Sequence, residues 1–228
     1  MNEERIVSPI DMGLAKAFLL RGAKPILVDT GYRRAASRLM KGLSAHGVAP
    51  RDLSLILITH GHDDHFGNIA YLKERTGTPV AIHKLDADAL RTGIALPANP
   101  GGAIGAIMKL ITPPNRKPRF AGFEPDIVIE DELDLNPYGV RGRVISTPGH
   151  TPGSVSVILD SGEAIISDLL SGSLLTATVP VIAFWAWNER ESRQSIRKVL
   201  ALKPRVIYAT HGGPFNPSQV ARKFLPDG

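Results

Sequence analysis

At 228 residues, 43% hydrophobic and 21% charged, the chain has the composition of an ordinary globular protein with one continuous core, which excludes disordered and fibrous classes. It contains no cysteine, so disulfides, thiol nucleophiles and thiolate ligands are excluded, and a bound metal must be held by nitrogen and oxygen. The net charge of +5 comes from dispersed basic residues, Arg33, Arg34, Arg116, Lys117 and Arg119 among them, without a nucleic-acid-binding signature. A solvated surface is the simpler reading and an anionic substrate group the secondary one.

Residues 1–16 carry early acidic groups and no uninterrupted apolar core, so no secretory signal is read there. No later run is long enough to span a bilayer, and the expected compartment is the cytoplasm. Ala17-Phe18-Leu19-Leu20 and Pro25-Ile26-Leu27-Val28 are short apolar runs of the kind that form buried strands, the second ending in Asp29-Thr30-Gly31. Ala35, Leu39 and Leu43 at helical spacing predict a helix over 33–46, stopped by Gly47. Residues 53–58 predict another buried strand, which delivers Thr59 and His60 to the sheet edge, and 66–76 a helix leaving that edge.

The single domain, 1–228, contains an insertion at 86–125 that is rich in Gly, Pro and Ala yet carries Ile94, Leu96, Ile104, Ile107 and Met108. Such a segment either packs as a satellite cluster or covers a site as a lid. Farther on, 140–146, 154–159 and 164–167 predict strands, the last two joined as a hairpin by Ser161-Gly162. Asn188 and Glu191 predict a capping box for a helix running to Leu202, with Ile196, Val199 and Leu200 on its apolar face. Val206-Ile207-Tyr208-Ala209 is a final strand ending in Thr210-His211-Gly212. An apolar run followed by Thr-His-Gly thus occurs twice, first at Thr59-His60-Gly61, which hints at two related halves.

The segment Thr59-His60-Gly61-His62-Asp63-Asp64-His65 contains H-x-H-x-D-H in a glycine-containing turn after a buried strand. Neutral imidazole and ionised carboxylate both suit zinc, and four ligand-type groups within six positions exceed what one ion needs from one loop, which predicts two metals. A surface turn that happens to be rich in histidine is the competing reading; three of the seven histidines fall here, which weighs against it. Asp63 stands at a variable position of the pattern and is expected to cap the following helix or face solvent. His150 in Thr147-Pro148-Gly149-His150-Thr151-Pro152-Gly153, Asp168 after Ile165-Ile166-Ser167, and His211 are further candidates. Each alone would be unremarkable, but all sit at ends of predicted strands, where the loops of a layered α/β domain gather into one site.

With these residues in this order the sequence resembles the metallo-β-lactamase superfamily, from Asp29-Thr30-Gly31 through the first histidine loop, the His150 loop and Asp168 to His211. The resemblance implies an α/β fold of four layers, an αβ/βα sandwich of two mixed β-sheets flanked by helices. It implies that His60, His62 and His150 bind one divalent metal ion, that Asp64, His65 and His211 bind a second, and that Asp168 bridges both. Zinc is favoured over iron or manganese. Asp29 matches a position near the metals from which it would orient a ligand. His46 and His83 match no ligand position.

The implied chemistry is that of a dinuclear hydrolase in which a metal-bridging hydroxide attacks the carbonyl of a thioester, ester or lactone, with Asp64 as the catalytic carboxylate that steers it. Phosphodiester hydrolysis on the same fold and non-catalytic metal or ligand sensing are the alternatives. Leu169-Leu170-Ser171-Gly172-Ser173 lacks the glycine, cysteine and arginine pattern of glyoxalase II and persulfide dioxygenases, and Ser171 and Gly172 stand where a quorum-sensing lactonase carries tyrosine. Ile107, Phe184, Trp185 and Trp187 are expected to line an apolar substrate pocket. The expected partner is a small-molecule substrate, not nucleic acid or membrane, with a homodimer contact as the competing use of the apolar insertion.

Overall fold

The computed structural model describes residues 6–97, 117–173 and 175–225. The apolar runs become strands of two mixed sheets. The first contains β1 (Val7–Asp11), β2 (Lys16–Leu20), β3 (Ile26–Val28), β4 (Leu55–Leu57), β5 (Val80–His83) and β6 (Ile127–Ile129) in chain order, antiparallel as far as β3 and parallel from there on. The second has the order β13 (Val206–Tyr208), β10 (Glu163–Ile165), β9 (Val155–Leu159), β8 (Gly142–Ser146), β7 (Glu132–Asp134), antiparallel except for the parallel β10–β13 pair. A short hairpin of β11 (Leu170–Gly172) and β12 (Pro180–Ile182) follows the second sheet's fourth strand in sequence.

The central strands β2, β3, β4, β5 and β9 are apolar at most positions because both of their faces are covered. Phe18, Leu20, Ile26, Val28, Leu55 and Leu57 form the central core with Val144, Val155, Val157 and Ile165 of the second sheet. Their neighbours Leu19, Leu27, Ile56 and Ile58 belong to an outer core with Leu39 and Leu43 of α1 (Ala36–Ala45) and Ile69 and Leu72 of α3 (Ile69–Thr76). On the opposite side Ile196 and Val199 of α5 (Glu189–Ala201) and Val220 and Phe224 of α6 (Pro217–Phe224) cover Ala164, Ile166 and Ile207. The layers are therefore helix, sheet, sheet, helix, as expected. Each fully buried aliphatic or aromatic side chain contributes about 1.5–3 kcal/mol.

Two local expectations are corrected. The helix expected over 66–76 is two pieces, α2 (Asp63–Phe66) and α3, parted at Gly67-Asn68. Asn68 spends its side-chain N–H groups on the carbonyls of Thr30 (2.6 Å) and Tyr32 (2.7 Å), which tie the break to the loop after β3. At α5, Asn188 caps Arg190 and Glu191 through its Oδ1, but its own N–H bonds the Gly149 carbonyl at 2.8 Å, so the box is not reciprocal. The described ends of the stretch 86–125 pack against the core. Ala87, Ala89 and Leu90, around α4 (Asp88–Thr92), are buried in the α1/α3 core, and Phe120 packs edge-on against Phe66 with ring centroids 5.6 Å apart. Ile107 lies outside the described residues. No helix among the described residues is long and apolar enough to cross a membrane.

Strand register carries the candidate ligands to one edge. Parallel pairing of Val28 with Leu57 sets Asp29 beside Thr59, and parallel pairing of Ile165 with Tyr208 sets Ser167-Asp168 beside Thr210-His211. The edges meet where the Val155 N–H donates to the Thr59 carbonyl (3.0 Å) and the Thr59 and Ser167 hydroxyls lie 2.8 Å apart.

Candidate metal centre

All seven sequence-predicted ligands converge at this edge, in two groups: His60, His62 and His150, and Asp64, His65, Asp168 and His211. In the first, His62 Nδ1 lies 3.1 Å from His60 Nε2 and 3.0 Å from His150 Nε2. The three rings stand nearly perpendicular to one another in pairs. One ring nitrogen facing two others can share a proton with only one of them. Three imidazole nitrogens at this spacing suit a cation at their centre, since zinc–nitrogen bonds are about 2.0–2.1 Å.

In the second group the outer ring nitrogens are already committed. His65 Nδ1 lies 2.8 Å from Asp29 Oδ2, and His211 Nδ1 lies 2.7 Å from the Leu14 carbonyl, to which it donates. Both Nε2 atoms are thereby turned on carboxylates: His211 Nε2 is 3.1 Å from Asp64 Oδ2 and 3.4 Å from Asp168 Oδ2, and His65 Nε2 is 3.6 and 3.5 Å from the same oxygens. Lone pairs facing carboxylate oxygens are repulsive unless protons or a cation lie between them, so this donor set fits a metal ion. Asp168 Oδ2 also lies 3.6 Å from His150 Nε2 and so sits between the two groups, while buried Asp168 Oδ1 has no hydrogen-bond partner.

The electrostatics divide in the same way. Burial, then the neighbouring histidines, holds His60 well below the ordinary imidazole range; burial lowers His62 and takes His150 down to about 3. These are neutral imidazoles, the form that ligates. Burial also works against charge on His65 and His211, but the carboxylates outweigh it. Asp64, Asp29 and Asp168 hold His65 well above its usual range, and Asp168 and Asp64 raise His211 to about 10. Asp64 and Asp168 are likewise opposed by burial, yet are held ionised by His65 and His211.

The geometry is held from behind. Asp29, with φ of 60° at the end of β3, accepts the Thr59 N–H and hydroxyl at 2.8 Å each as well as contacting His65. Ser167, also at positive φ (46°), links Thr59 to Thr210, 3.2 Å away, so both Thr-His-Gly repeats join at one hydroxyl. Asp63 corrects the expectation of a cap or a solvated group: it pairs with Arg119 at 2.6 Å, and Arg119 is thus no free anchor. Two braces escaped the sequence reading. Buried Asp86 bonds both the first histidine loop and the His150 loop, and Lys16 Nζ donates to the Gly212 carbonyl at 2.6 Å, steadying the His211 loop. Asp86 follows β5 in the same strand-end position as the ligands, a signal that became visible only once β5 was known.

A cavity of about 390 Å³ opens on the metal centre, lined beyond the ligands by Tyr32, Leu96, Ser171, Gly172, Phe184 and Trp185. Phe184 and Trp185 on its wall are in edge-to-face contact at 5.0 Å. Trp187 does not line it; its N–H donates to the His150 carbonyl at 3.0 Å.

A family model described as the metallo-beta-lactamase superfamily matches residues 11–211. The chain belongs to the metallo-β-lactamase superfamily. It is 27% identical over 208 residues to "Probable metallo-hydrolase YflN" of Bacillus subtilis (strain 168), covering 83% of this chain and 75% of that one. It is 49% identical over 63 residues to "Metallo-beta-lactamase domain-containing protein 1" of Homo sapiens, a match spanning 27% of this chain and only 24% of that protein. The crystal structure of a metallo-beta-lactamase family protein from Thermus thermophilus superposes with a TM-score of 0.67 at 27% identity, covering 96% of this chain and 77% of that one.

Proposed function

We propose that this metallo-hydrolase carries two divalent ions, zinc in preference to iron or manganese, and hydrolyses a carbonyl compound (a thioester, ester or lactone) of small size. The observation that supports it best is the split of seven nitrogen and oxygen donors into two sets with Asp168 Oδ2 between them. His60, His62 and His150 would hold one ion, Asp64, His65 and His211 the other, and Asp168 both. When bound, such ions supply Lewis acidity to a carbonyl oxygen and bring the pKa of a coordinated water toward neutrality.

The chain's own residues set the conditions for that chemistry. Asp29 and the Leu14 carbonyl fix which nitrogen of His65 and of His211 faces inward, and Asp64 presents an ionised oxygen there as the acceptor able to orient an attacking water. Tyr32, raised to about 12 by burial and by Asp64 and Asp63, keeps its phenolic proton and offers a donor on the cavity wall. Leu96, Phe184 and Trp185 supply apolar surface for an acyl or alkyl portion. The test is elemental analysis of the purified protein together with a chromogenic panel of ester, thioester, lactone, β-lactam and phosphodiester substrates. Two metals per chain with turnover confined to carbonyl substrates is the expected result. Preference for the phosphodiester, or no turnover by the metal-loaded protein, would overturn the assignment.

A further inference from the structure

A second cavity, of about 640 Å³, adjoins the metal cavity and shares Tyr32 and Asp63 with it. Its wall carries Arg33, Arg34, Arg38 and Arg119 against a single carboxylate, Asp63. Arg119 takes that carboxylate. The exposed side chains of Arg33, Arg34 and Arg38 make no ion pair or hydrogen bond with any of the described residues. Met12, Leu14 and Ala35 complete a largely apolar floor.

This arrangement is unfavourable for the isolated chain. Arg33 and Arg34 belong to the 3-10 turn Arg33–Ala35 that leads into α1, and Arg38 to the first turn of α1 itself, so like charges gather where the chain enters that helix. They flank the start of α1, where the helix dipole disfavours cations, and that first turn contains no acidic residue. Residues 98–116, which lead to Arg119, contain Lys109 and Arg116 but no aspartate or glutamate to neutralise them. A set of guanidiniums left uncompensated beside a site is complementary to an oxyanion, which arginine binds through paired N–H donors.

We infer that this cavity is an oxyanion-binding subsite of the enzyme, in which Arg34 and Arg38 hold a carboxylate or phosphate-type group at the end of the substrate remote from its scissile carbonyl. Tyr32 stands where the two cavities meet. The inference rests on the carbonyl-hydrolase reading of the metal cavity, and it converts a general positive charge into a specificity element.

The kinetic test uses p-nitrophenyl esters of one acyl chain, with spacers of increasing length, ending in a methyl ester, a carboxylate or a phosphonate. The two anionic ends distinguish a carboxylate from a phosphate-type ligand. At the best spacer the anionic esters should exceed the neutral one in kcat/KM by at least about tenfold, an advantage that shrinks with added salt. The double variant Arg34→Gln/Arg38→Gln should lose that advantage while cleaving the neutral ester within about twofold of wild type. Arg197→Gln/Arg222→Gln, an exposed change of equal charge in α5 and α6 on the opposite helical layer, should retain it. The deciding measurement is calorimetric binding of the corresponding hydrolysis-resistant anilides to the metal-loaded protein. Tighter binding of the anionic anilides, weakened about tenfold or more in the double variant, supports the subsite even if no ester is turned over, in which case it is the carbonyl-hydrolase reading that fails. If the anionic anilides bind no tighter than the neutral one, or bind the double variant as well as wild type, the subsite is overturned whatever the hydrolytic activity.

Discussion

Asp86 Oδ1 accepts the Gly153 N–H at 2.8 Å, a bond that joins the segment after β5 to the loop carrying His150. The other carboxylate oxygen accepts the Gly61 N–H at 2.9 Å and the Thr151 hydroxyl at 2.7 Å. One buried carboxylate thus clamps two of the loops that converge on the metal centre. The approach is close enough that a Cβ at position 153 would lie 2.4 Å from the same oxygen, so glycine is required there. Asp86→Ala should strand three donors and cost about 2–4 kcal/mol, since bonds to a charged acceptor contribute about 1.5–3 kcal/mol each and relaxation recovers part. It should also weaken metal retention about 10–100-fold against a chelator, the usual effect of disturbing groups behind the ligands. Unchanged urea midpoints and unchanged metal retention would show that the clamp is dispensable.

Asp168 and Asp63 are both aspartates near the cavity, and the structure assigns them opposite importance. Asp168 is buried between both donor groups, whereas Asp63 is about a third exposed and, among the described residues, pairs with Arg119. Asp168→Ala should remain folded, because it removes one of two like-charged groups, but should lose metal and hydrolysis together. Asp63→Ala should keep its metal content and change stability by no more than about 1 kcal/mol, the worth of an exposed ion pair. Plasma emission analysis of both variants, with circular dichroism as the folding control, reads the difference; metal loss in Asp63→Ala with retention in Asp168→Ala would invert the assignment.

The metal-free protein should be most stable near pH 6.5 and lose stability on both sides. Below that pH, His150 at about 3, with His60 and His62 also lowered, resists the protons that the unfolded chain accepts near 6.5. Their contribution is full above 6.5 and falls as the pH is lowered toward 3. Above it, His211 at about 10 and raised His65 hold protons that the unfolded chain has released. Their contribution is full below 6.5 and is lost as the pH rises toward 10. Each group changes stability by about 1.4 kcal/mol per pH unit within its window. Urea midpoints of the chelator-treated protein at pH 5, 6.5 and 8.5 test this; a midpoint rising steadily across all three would refute it. Bound metal should flatten the alkaline limb, because an ion replaces those protons.

How much of this was legible beforehand follows from the kind of signal each part leaves. Strands β2, β3, β4 and β9 are buried on both faces, and their apolar runs announce them, as the run Val206-Ile207-Tyr208 announces the partly buried β13. The seven candidate ligands declare themselves by residue type and by strand-end placement. Strands β6 and β7 do not, since Val128 and Glu132 are exposed and each strand is three residues long. The clamp at Asp86 depended on β5, which was not recognised, and an aspartate outside a histidine cluster carries no chemical signature of its own. The break at Asn68 was hidden because the helical spacing of Phe66, Ile69 and Leu72 continues across it, while the bonds that cause it lie in the distant 30–32 loop. Arg33, Arg34 and Arg38 read as surface charges along the chain, and only the cavity they share gives them common meaning.

The wall formed by Leu96, Phe184 and Trp185 should make acyl length the variable to which the enzyme responds. These residues enter the site from separate segments: Leu96 is fixed by its N–H to the Gly61 carbonyl at 2.8 Å, and Phe184-Trp185 follow the hairpin that begins directly after Asp168. Phe184 is 50% exposed and Trp185 half-buried, so a bound apolar chain would cover surface now open to water. Each added methylene that does so stabilises the complex by up to about 0.8 kcal/mol, and about 25 cal/mol per Å² is gained for the area covered. In a series of neutral straight-chain esters or thioesters, kcat/KM should therefore rise by about two- to fourfold per methylene until the 390 Å³ cavity is filled. Trp185→Ala should flatten that rise while leaving metal content unchanged. Trp187→Ala should leave the slope intact, because Trp187 does not line the cavity and alanine preserves its backbone bond to the His150 carbonyl. A series with no slope in the wild type, or a slope lost equally in both tryptophan variants, would show that this wall does not meet the substrate.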